Sequence, residues 1–341
     1  MIKMETKILA TDQVAVEKAA ELIKNGEVVA MPTETVYGLA ADATNEVAIA
    51  KIFEAKGRPQ DNPLIVHICS FDMLCKVTAK VPEIAYKLAE KFWPGPLTMV
   101  LKKSKLIPDS VTGGLDTVGI RMPSHEAALG LIEKSGLPIA APSANTSGKP
   151  SPTTAQHVYD DLNGKIKLIL DGGVCQFGVE STVIKVDDDT VTILRPGAVT
   201  EEMIEELGIK VKVSRGVYNE LKSDEKVLSP GMKYKHYSPK ANIVVVKSDF
   251  ESFKKFAEKN IKDGTYFLIY TREKNDFEFP CLTYGDTSLE QANELFGKLR
   301  EFDKLGAKTV YARCPCKDQM GLAVYNRLLR AAGFEVIDIE Q

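Results

Sequence analysis

At 341 residues with 44% hydrophobic side chains, the chain exceeds one ordinary domain and has apolar content enough for two packed cores. A formal net charge of −3 excludes the global basic field of a nucleic-acid coat protein, so any RNA contact has to be local. No apolar run approaches a membrane span, and the start MIKMETKILATDQ lacks the apolar core and cleavage site of a secretory signal, so a soluble cytoplasmic protein is expected.

In chain order, VAVEKAAELIKNG carries apolar residues at helical spacing and ends on Asn-Gly, and EVVAMP follows as a strand stopped by Pro32. Helices are predicted for EVAIAKIFEA, PEIAYKLAEKF, HEAALGLIEKS and TTAQHVYDDL. Between them, PLIVHI, LTMVLKK, TVGIRMP, PIAAP and LILDGG read as strands, as do STVIKV and VTILRP on either side of an Asp-rich turn. This is mixed α/β, with too many strands for a simple alternating crossover fold.

From about residue 208 the pattern changes, and the stretch running through SPGMKYKHYSPKAN is too long and aperiodic for an ordinary connection. Beyond it, the strands NIVVVK, TYFLIYT and KTVYARC alternate with helical patterns at 250–260, 289–304 and LAVYNRLLRAAG, which predicts a small parallel-sheet domain. The cysteines at 69, 75, 175, 281, 314 and 316 have neither zinc-ribbon nor redox-dithiol spacing, so reduced structural thiols are expected.

Four stretches have a composition that core packing does not require: MPTETVYGLAADA, AKGRPQDNPLIVHI, GIRMPSH and APSANTSGKPSPTT. Each sets hydroxyls, amides or cations at the end of a predicted strand, the usual ligand position of open α/β sheets. In KGRPQDNPL, Gly57 and Pro59 hold Lys56 and Arg58 on a rigid loop, a point charge beside a bidentate fork. In PSANTSGKPSPTT, Ser143, Asn145 and Ser151 precede a helix start, where free N–H groups attract anions. There is no G-x-x-x-x-G-K-[ST], no G-x-G-x-x-G at a strand-to-helix turn and no nucleophile elbow. The chemistry then rests on positioning and charge stabilisation.

The ordered set PTETVYGLAADA, KGRPQDNPL, FWPGPLT, IRMPSH, PSANTSGKPSPT, GVESTVI and LRPGAVT resembles the YrdC-type threonylcarbamoyl-AMP synthases. The PGMKYKHYSP linker and the trailing α/β segment resemble the long, two-domain branch of that family. The resemblance implies a YrdC-like mixed-sheet α/β domain with a concave basic cleft at residues 1–210. It further implies a linker or lid at 211–240 and a smaller Rossmann-like, Sua-type domain at 241–341. The implied activity is nucleotidyl transfer: L-threonine, bicarbonate or CO2, and ATP with Mg²⁺ give threonylcarbamoyl-AMP and pyrophosphate. That is the first step of threonylcarbamoyladenosine modification of the tRNA adenosine next to the anticodon. The product passes to a downstream transferase complex, a contact with tRNA is allowed, and no membrane is involved.

Carried over position by position, the resemblance assigns Lys56, Arg58, Ser143 and Asn145 to the triphosphate and the developing pyrophosphate. It assigns Asn62, Thr117, Ser151 and Arg195 to further nucleotide contacts, and Tyr234 of the linker to ATP. Threonine falls to Thr35, His67, Arg121, Ser181 and the backbone of Ala141. Arg121 is the natural partner of the substrate carboxylate. Glu34 and Glu180 lie near matched positions, as base, magnesium ligand or salt-bridge partner, and His236 and Tyr237 accompany Tyr234. The competing reading is a double-stranded RNA or tRNA-binding module without ATP turnover, using Lys56, Arg58 and Lys149 on a phosphate backbone. A carbamoyl-transfer maturation protein ranks lower, because the chain lacks that group's zinc-binding cysteine pairs.

Overall fold

The computed structural model describes residues 4–219 and 237–339. Every helix expected from apolar spacing forms, and side-chain caps fix several of the starts: Asp12, Asn45 and Thr154 each accept a backbone N–H of the first turn. Helix Glu46–Lys56 ends on Gly57, whose positive φ of 61° a glycine adopts without strain. This corrects one expectation. Lys56 is the last residue of that helix rather than part of a free loop, and only Arg58 lies beyond the turn.

Eleven strands form one mixed sheet. Its order is Lys7–Ala10, Leu168–Asp171, Val29–Met31, Gly38–Asp42, Ile139–Ala140, Ile65–His67, Thr117–Arg121, Leu97–Lys102, Thr182–Val186, Thr190–Arg195 and Lys210–Val213. The first and last of these, and Gly38–Asp42, go beyond the strands expected from sequence. A second sheet of five strands is parallel throughout: Cys281–Thr283, Thr265–Ile269, Thr309–Arg313, Asn242–Lys247 and Val336–Asp338. Both sheets agree with the predicted mixed α/β domain followed by a parallel one.

Strand alternation sorts the first sheet's side chains into two faces. Val66, Ile120, Met99, Ile184 and Ala140 turn into one core with Ile49, Ile52, Leu88 and Val158 of the helices behind. Ile65, His67, Arg121 and Ala141 turn the other way. On that second face, helices Gln13–Lys24 and Glu126–Ser135 cover only the half of the sheet that carries Val29, Met31, Ala40, Ile139 and Leu168. The C-terminal domain covers the rest. Its helices Ser288–Lys304 and Gln319–Ala331 carry Asn293, Arg300 and Arg327 to backbone or side-chain groups at Cys175, Pro150 and Glu180. A pocket lies where it was expected, at strand ends: His67, Arg121 and Arg195 are the last residues of their strands, Ala141 and Ser143 follow Ile139–Ala140, and Thr33 and Thr35 follow Val29–Met31.

Gly178 sits at the closest approach of the two parts. Its φ is +73°, and a Cβ there would fall 2.4 Å from Asn293 Cα and 2.5 Å from the carbonyl oxygen of Ala292. Gly178→Ala should therefore cost roughly 2–5 kcal/mol, from left-handed strain and overpacking together. Calorimetric unfolding reads this directly, and an unchanged melting temperature would mean that the two surfaces do not pack this closely.

Candidate active site

The pocket encloses about 750 Å³, its open mouth included. Its lining contains Lys56, Arg58, Arg121, Lys149 and Arg195 with one carboxylate, Glu180, while Glu34 stands behind Arg121 as its ion-pair partner. Parallel pairing of Ile65–His67 with Thr117–Arg121 sets His67 directly beside Arg121. Antiparallel pairing sets Val66 opposite Ala140, so the adjoining Ala141 also reaches the lining.

At one end, Arg121 is 4% exposed. Its Nη1 donates to Thr35 Oγ1 at 2.8 Å and its Nε to the carbonyl of Gly95 at 3.3 Å. Its Nη2 lies 2.7 Å from Glu34 Oε1 as an ion pair lacking hydrogen-bond alignment. Nη2 and both Glu34 oxygens are thus buried without a hydrogen-bond partner among the described residues. Buried polar atoms left in this way are costly, and a substrate with complementary groups relieves that cost. Thr33 locks the turn by donating to the carbonyl of Val36 at 2.6 Å and accepting the N–H of Thr35, which aims Thr35 at Arg121.

His67 is buried with Nδ1 unpartnered, and burial followed by the Arg121 charge lowers its pKa to about 3. The ring is therefore neutral at ordinary pH and presents hydrogen-bonding nitrogen rather than charge. Ser181 closes this end, sharing a hydrogen bond of 2.8 Å with Thr98 Oγ1 and accepting from Arg195 Nη2 at 3.2 Å.

At the other end, Lys56 is almost wholly buried, and its ammonium donates to the carbonyls of Ser143 and Asn145, the latter at 2.6 Å. Burial, and then the neighbouring Arg58, hold its pKa well below the ordinary lysine value. Lys56 thus ties the serine- and asparagine-bearing loop to the helix end. Ser143 Oγ donates to Asn145 Oδ1, and Asn145 Nδ2 to the carbonyls of Thr146 at 2.8 Å and Lys149 at 2.9 Å. Arg58 Nη2 donates to the carbonyls of Asn62 and Pro63, while its Nε has no partner. Burial lowers its pKa to about 10, so the guanidinium stays charged at neutral pH.

Of the residues expected from sequence, Lys56, Arg58, Ser143, Asn145, Arg195, Thr35, His67, Arg121, Ala141 and Ser181 all line this one pocket. Ser151 stands behind the wall, its Oγ donating to Glu180 Oε1 at 2.6 Å. Asn62 is buried at the foot of Arg58 with Oδ1 unpartnered. Thr117 does not join the lining: strand register places it level with Pro63, below Arg58. Tyr234 and His236 lie outside the described residues. Tyr237 does line the pocket, at φ +64°, with its ring 5.1 Å from Phe296 of the C-terminal domain. Trp93 is a packing residue, buried and donating Nε1 to the carbonyl of Leu97.

Sequence reasoning missed Arg300 and Arg327, which reach the back of the pocket from the second domain. A signal was present. In LAVYNRLLRAAG the residues are apolar around most of the helix, so it is buried on several sides, and arginines inside such a helix require partners.

A mixed sheet with guanidinium groups, hydroxyls and amides converging over one face, backed by a second α/β domain, defines an anion-handling α/β enzyme without a phosphate loop. A family profile described as "Telomere recombination" (Sua5, YciO, YrdC) matches residues 21–197. Another, described as "Threonylcarbamoyl-AMP synthase, C-terminal domain", matches 199–333. A threonylcarbamoyl-AMP synthase of Pyrococcus abyssi is 47% identical over 94% of this chain and 95% of its own length. One of Bacillus subtilis is 44% identical over 97% of each. The solved structure of P. abyssi Sua5 complexed with L-threonine superposes with a TM-score of 0.91 at 44% identity, covering 98% of this chain and 99% of that one. The chain belongs to the threonylcarbamoyl-AMP synthase family, in its two-domain form.

Neutral, buried His67 gives a test of this geometry. Its folded pKa of about 3 lies below the ordinary value of 6.5, so the stability it contributes is present above pH 6.5 and is lost as pH falls toward 3. Wild type should lose stability relative to His67→Gln between pH 7 and 4 in urea unfolding, and parallel pH profiles would place His67 in water.

Proposed function

We propose that this pocket joins L-threonine, bicarbonate or CO2, and ATP into L-threonylcarbamoyl-AMP with release of pyrophosphate. The observation that carries the reading is the division of one pocket into two ends. Among the described residues, Arg121 of the lining and Glu34 behind it have polar atoms without hydrogen bonds at one end, and Arg58 has such an Nε at the other.

In this reading Arg121 takes the threonine carboxylate as a planar fork, and Glu34 faces the ammonium and accepts its proton. Thr35, His67, Ser181 and the Ala141 backbone complete the amino-acid end. The freed amine attacks the carbon of CO2, loses a proton and becomes a carbamate. A carbamate oxygen then attacks the α-phosphorus as its bond to the pyrophosphate oxygen breaks. Lys56, Arg58, Ser143 and Asn145 serve the triphosphate end, with Asn62, Ser151, Arg195 and Thr117 around them. Arg58 meets the charge that develops on the leaving group, while Lys56 holds the Ser143–Asn145 loop in place. No enzyme nucleophile is required, since holding reactants in register can supply about 7–11 kcal/mol of the barrier.

Magnesium enters as part of the nucleotide substrate, since that ion is usually bound through phosphates and one or two carboxylates. Glu180 of the lining is spent on Arg327 and Ser151, whereas Glu34, behind Arg121, has oxygens without a hydrogen bond among the described residues. We further infer that residues 1–210 form the catalytic domain, 241–341 the covering domain and 211–240 the linker that passes over the nucleotide, with Tyr234 assigned to ATP. Tyr237, buried in the pocket wall, supports the placement of that linker. The product is a reactive mixed anhydride, handed in the cytoplasm to a transferase system that modifies tRNA. The RNA-binding alternative is not favoured, because relatives over the whole chain are named as synthases and Lys56 is spent on carbonyls inside the protein.

Pyrophosphate release by the purified chain should require ATP, L-threonine and bicarbonate together, and should be lost in Arg58→Ala. Arg121→Lys should raise KM for threonine by about 10–100-fold, the worth of a lost charged hydrogen-bond fork, with KM for ATP little changed. Release indifferent to threonine would overturn the assignment.

A further inference from the structure

The chemistry above leaves two arginines of the C-terminal domain without a role. Arg327 lies in helix Gln319–Ala331, and its side chain is 0% exposed. Its guanidinium points into the first domain: Nε donates to Glu180 Oε2 at 2.9 Å, Nη2 to the Glu180 carbonyl at 3.2 Å and Nη1 to the Pro196 carbonyl at 2.6 Å. The other oxygen of Glu180 accepts from Ser151. Arg300 reaches the preceding residue of the same loop. Its Nη2 donates to the Pro150 carbonyl and to Asp161 Oδ2 at 2.9 Å, and Asp161 also holds Lys149 at 3.0 Å. One helix of the covering domain thus holds Pro150 of the loop that begins at Ser143 directly, and the other reaches Ser151 only through Glu180.

A tether alone does not explain this arrangement. Two domains can be held together by exposed contacts, whereas drawing a guanidinium fully out of water is costly unless every direction of the fork is matched. Here the matched groups belong to the pocket wall. Glu180 adjoins Ser181, and Pro196 adjoins Arg195, which donates to the Ser181 carbonyl at 3.1 Å.

We propose that Arg327 is a positioning residue for the synthase reaction: acting through Glu180 and Ser151, with Arg300 at Pro150, it fixes the nucleotide side of the pocket. The covering domain thereby completes the active site. This rests on the function proposed above. The groups facing Glu180 are Arg327 from the covering domain, Ser151, Arg195, Lys56 and Tyr237. Burial works to raise its pKa, yet Arg327, Arg195 and the Ser151 hydroxyl hold it below the usual carboxylate value. Without Arg327 that value rises, and the carboxylate takes up a proton as pH falls.

The test is steady-state pyrophosphate release by the full-length chain as wild type, Arg327→Lys, Arg327→Met, Glu180→Gln and the Arg327→Met/Glu180→Gln double variant. Arg327→Lys should raise KM for ATP by about 10–100-fold, the loss that small misplacements produce, and KM for threonine by less, since of that end only Ser181 adjoins Glu180. Arg327→Met should acquire an acidic limb, losing rate as pH falls at values where wild type still holds it. The double variant should be no slower than Arg327→Met and should lack the limb. Equal effects on both KM values, or losses that multiply in the double variant, would reduce Arg327 to a structural contact and overturn the proposal. If Arg327→Met does not fold, Glu180→Gln decides, because an unchanged KM for ATP there excludes the relay. Wild type that releases no pyrophosphate would sink the synthase reading itself, whereas active wild type with insensitive variants would sink only this inference.

Discussion

The buried pairing of Arg327 with Glu180 is the contact on which the arrangement of the whole pocket turns. Removing two charges from water costs several kcal/mol each, and mutual attraction recovers this only when the remaining donors and acceptors are also filled. That condition is met: the fork spends its nitrogens on a carboxylate and two carbonyls, and the second carboxylate oxygen takes a serine hydroxyl. Such a pair says little about net stability. It says much about register, since sliding the helix by one turn would strand an uncompensated charge, a loss of about 3–5 kcal/mol.

The same economy recurs inside the pocket, where cations are fixed by carbonyl oxygens in preference to carboxylates. Lys56 is held by Ser143 and Asn145, and Arg58 by Asn62 and Pro63. Carbonyl dipoles orient a cation without cancelling its charge, so the field that an anion meets survives. Lys149, paired with Asp161, and Arg121 are exceptions, and the carboxylate neighbour of Arg121, Glu34, is misaligned for hydrogen bonding. A zwitterionic substrate carries one group for each. Preorganisation of this kind suits a reaction in which the protein contributes geometry and charge rather than a bond.

The second domain takes its place from the incomplete covering of the large sheet. Helices Gln13–Lys24 and Glu126–Ser135 protect one half of the face, and the other half carries His67, Arg121, Ser181 and Arg195, which cannot be buried against an apolar helix. A covering surface that brings its own arginines and asparagine satisfies exposed carbonyls at Pro150, Cys175, Pro196 and Val217.

Much of this was legible in the chain. The helices and most strands followed from apolar spacing, because burial on one face imposes a period that survives in sequence. The ten lining residues named beforehand lay in Gly-, Pro- and hydroxyl-rich stretches whose composition no core requires, and the ordered motifs carried the family. Other features were not legible. The edge strand Lys7–Ala10 is largely exposed and lacks clean alternation, and Lys210–Val213 alternates as KVKV but over only four residues, too few to mark a strand. Whether Lys56 points at substrate or at its own loop depends on carbonyls 87 and 89 residues away. Thr117 misses the lining because strand register, a pairing between distant segments, sets its height. The sequence by itself determined which side chains are available and the family they belong to. Only the tertiary structure decided which pocket they share and that an arginine of the second domain holds Glu180 of its lining, since hydrogen-bond geometry and desolvation exist only once distant segments are packed together.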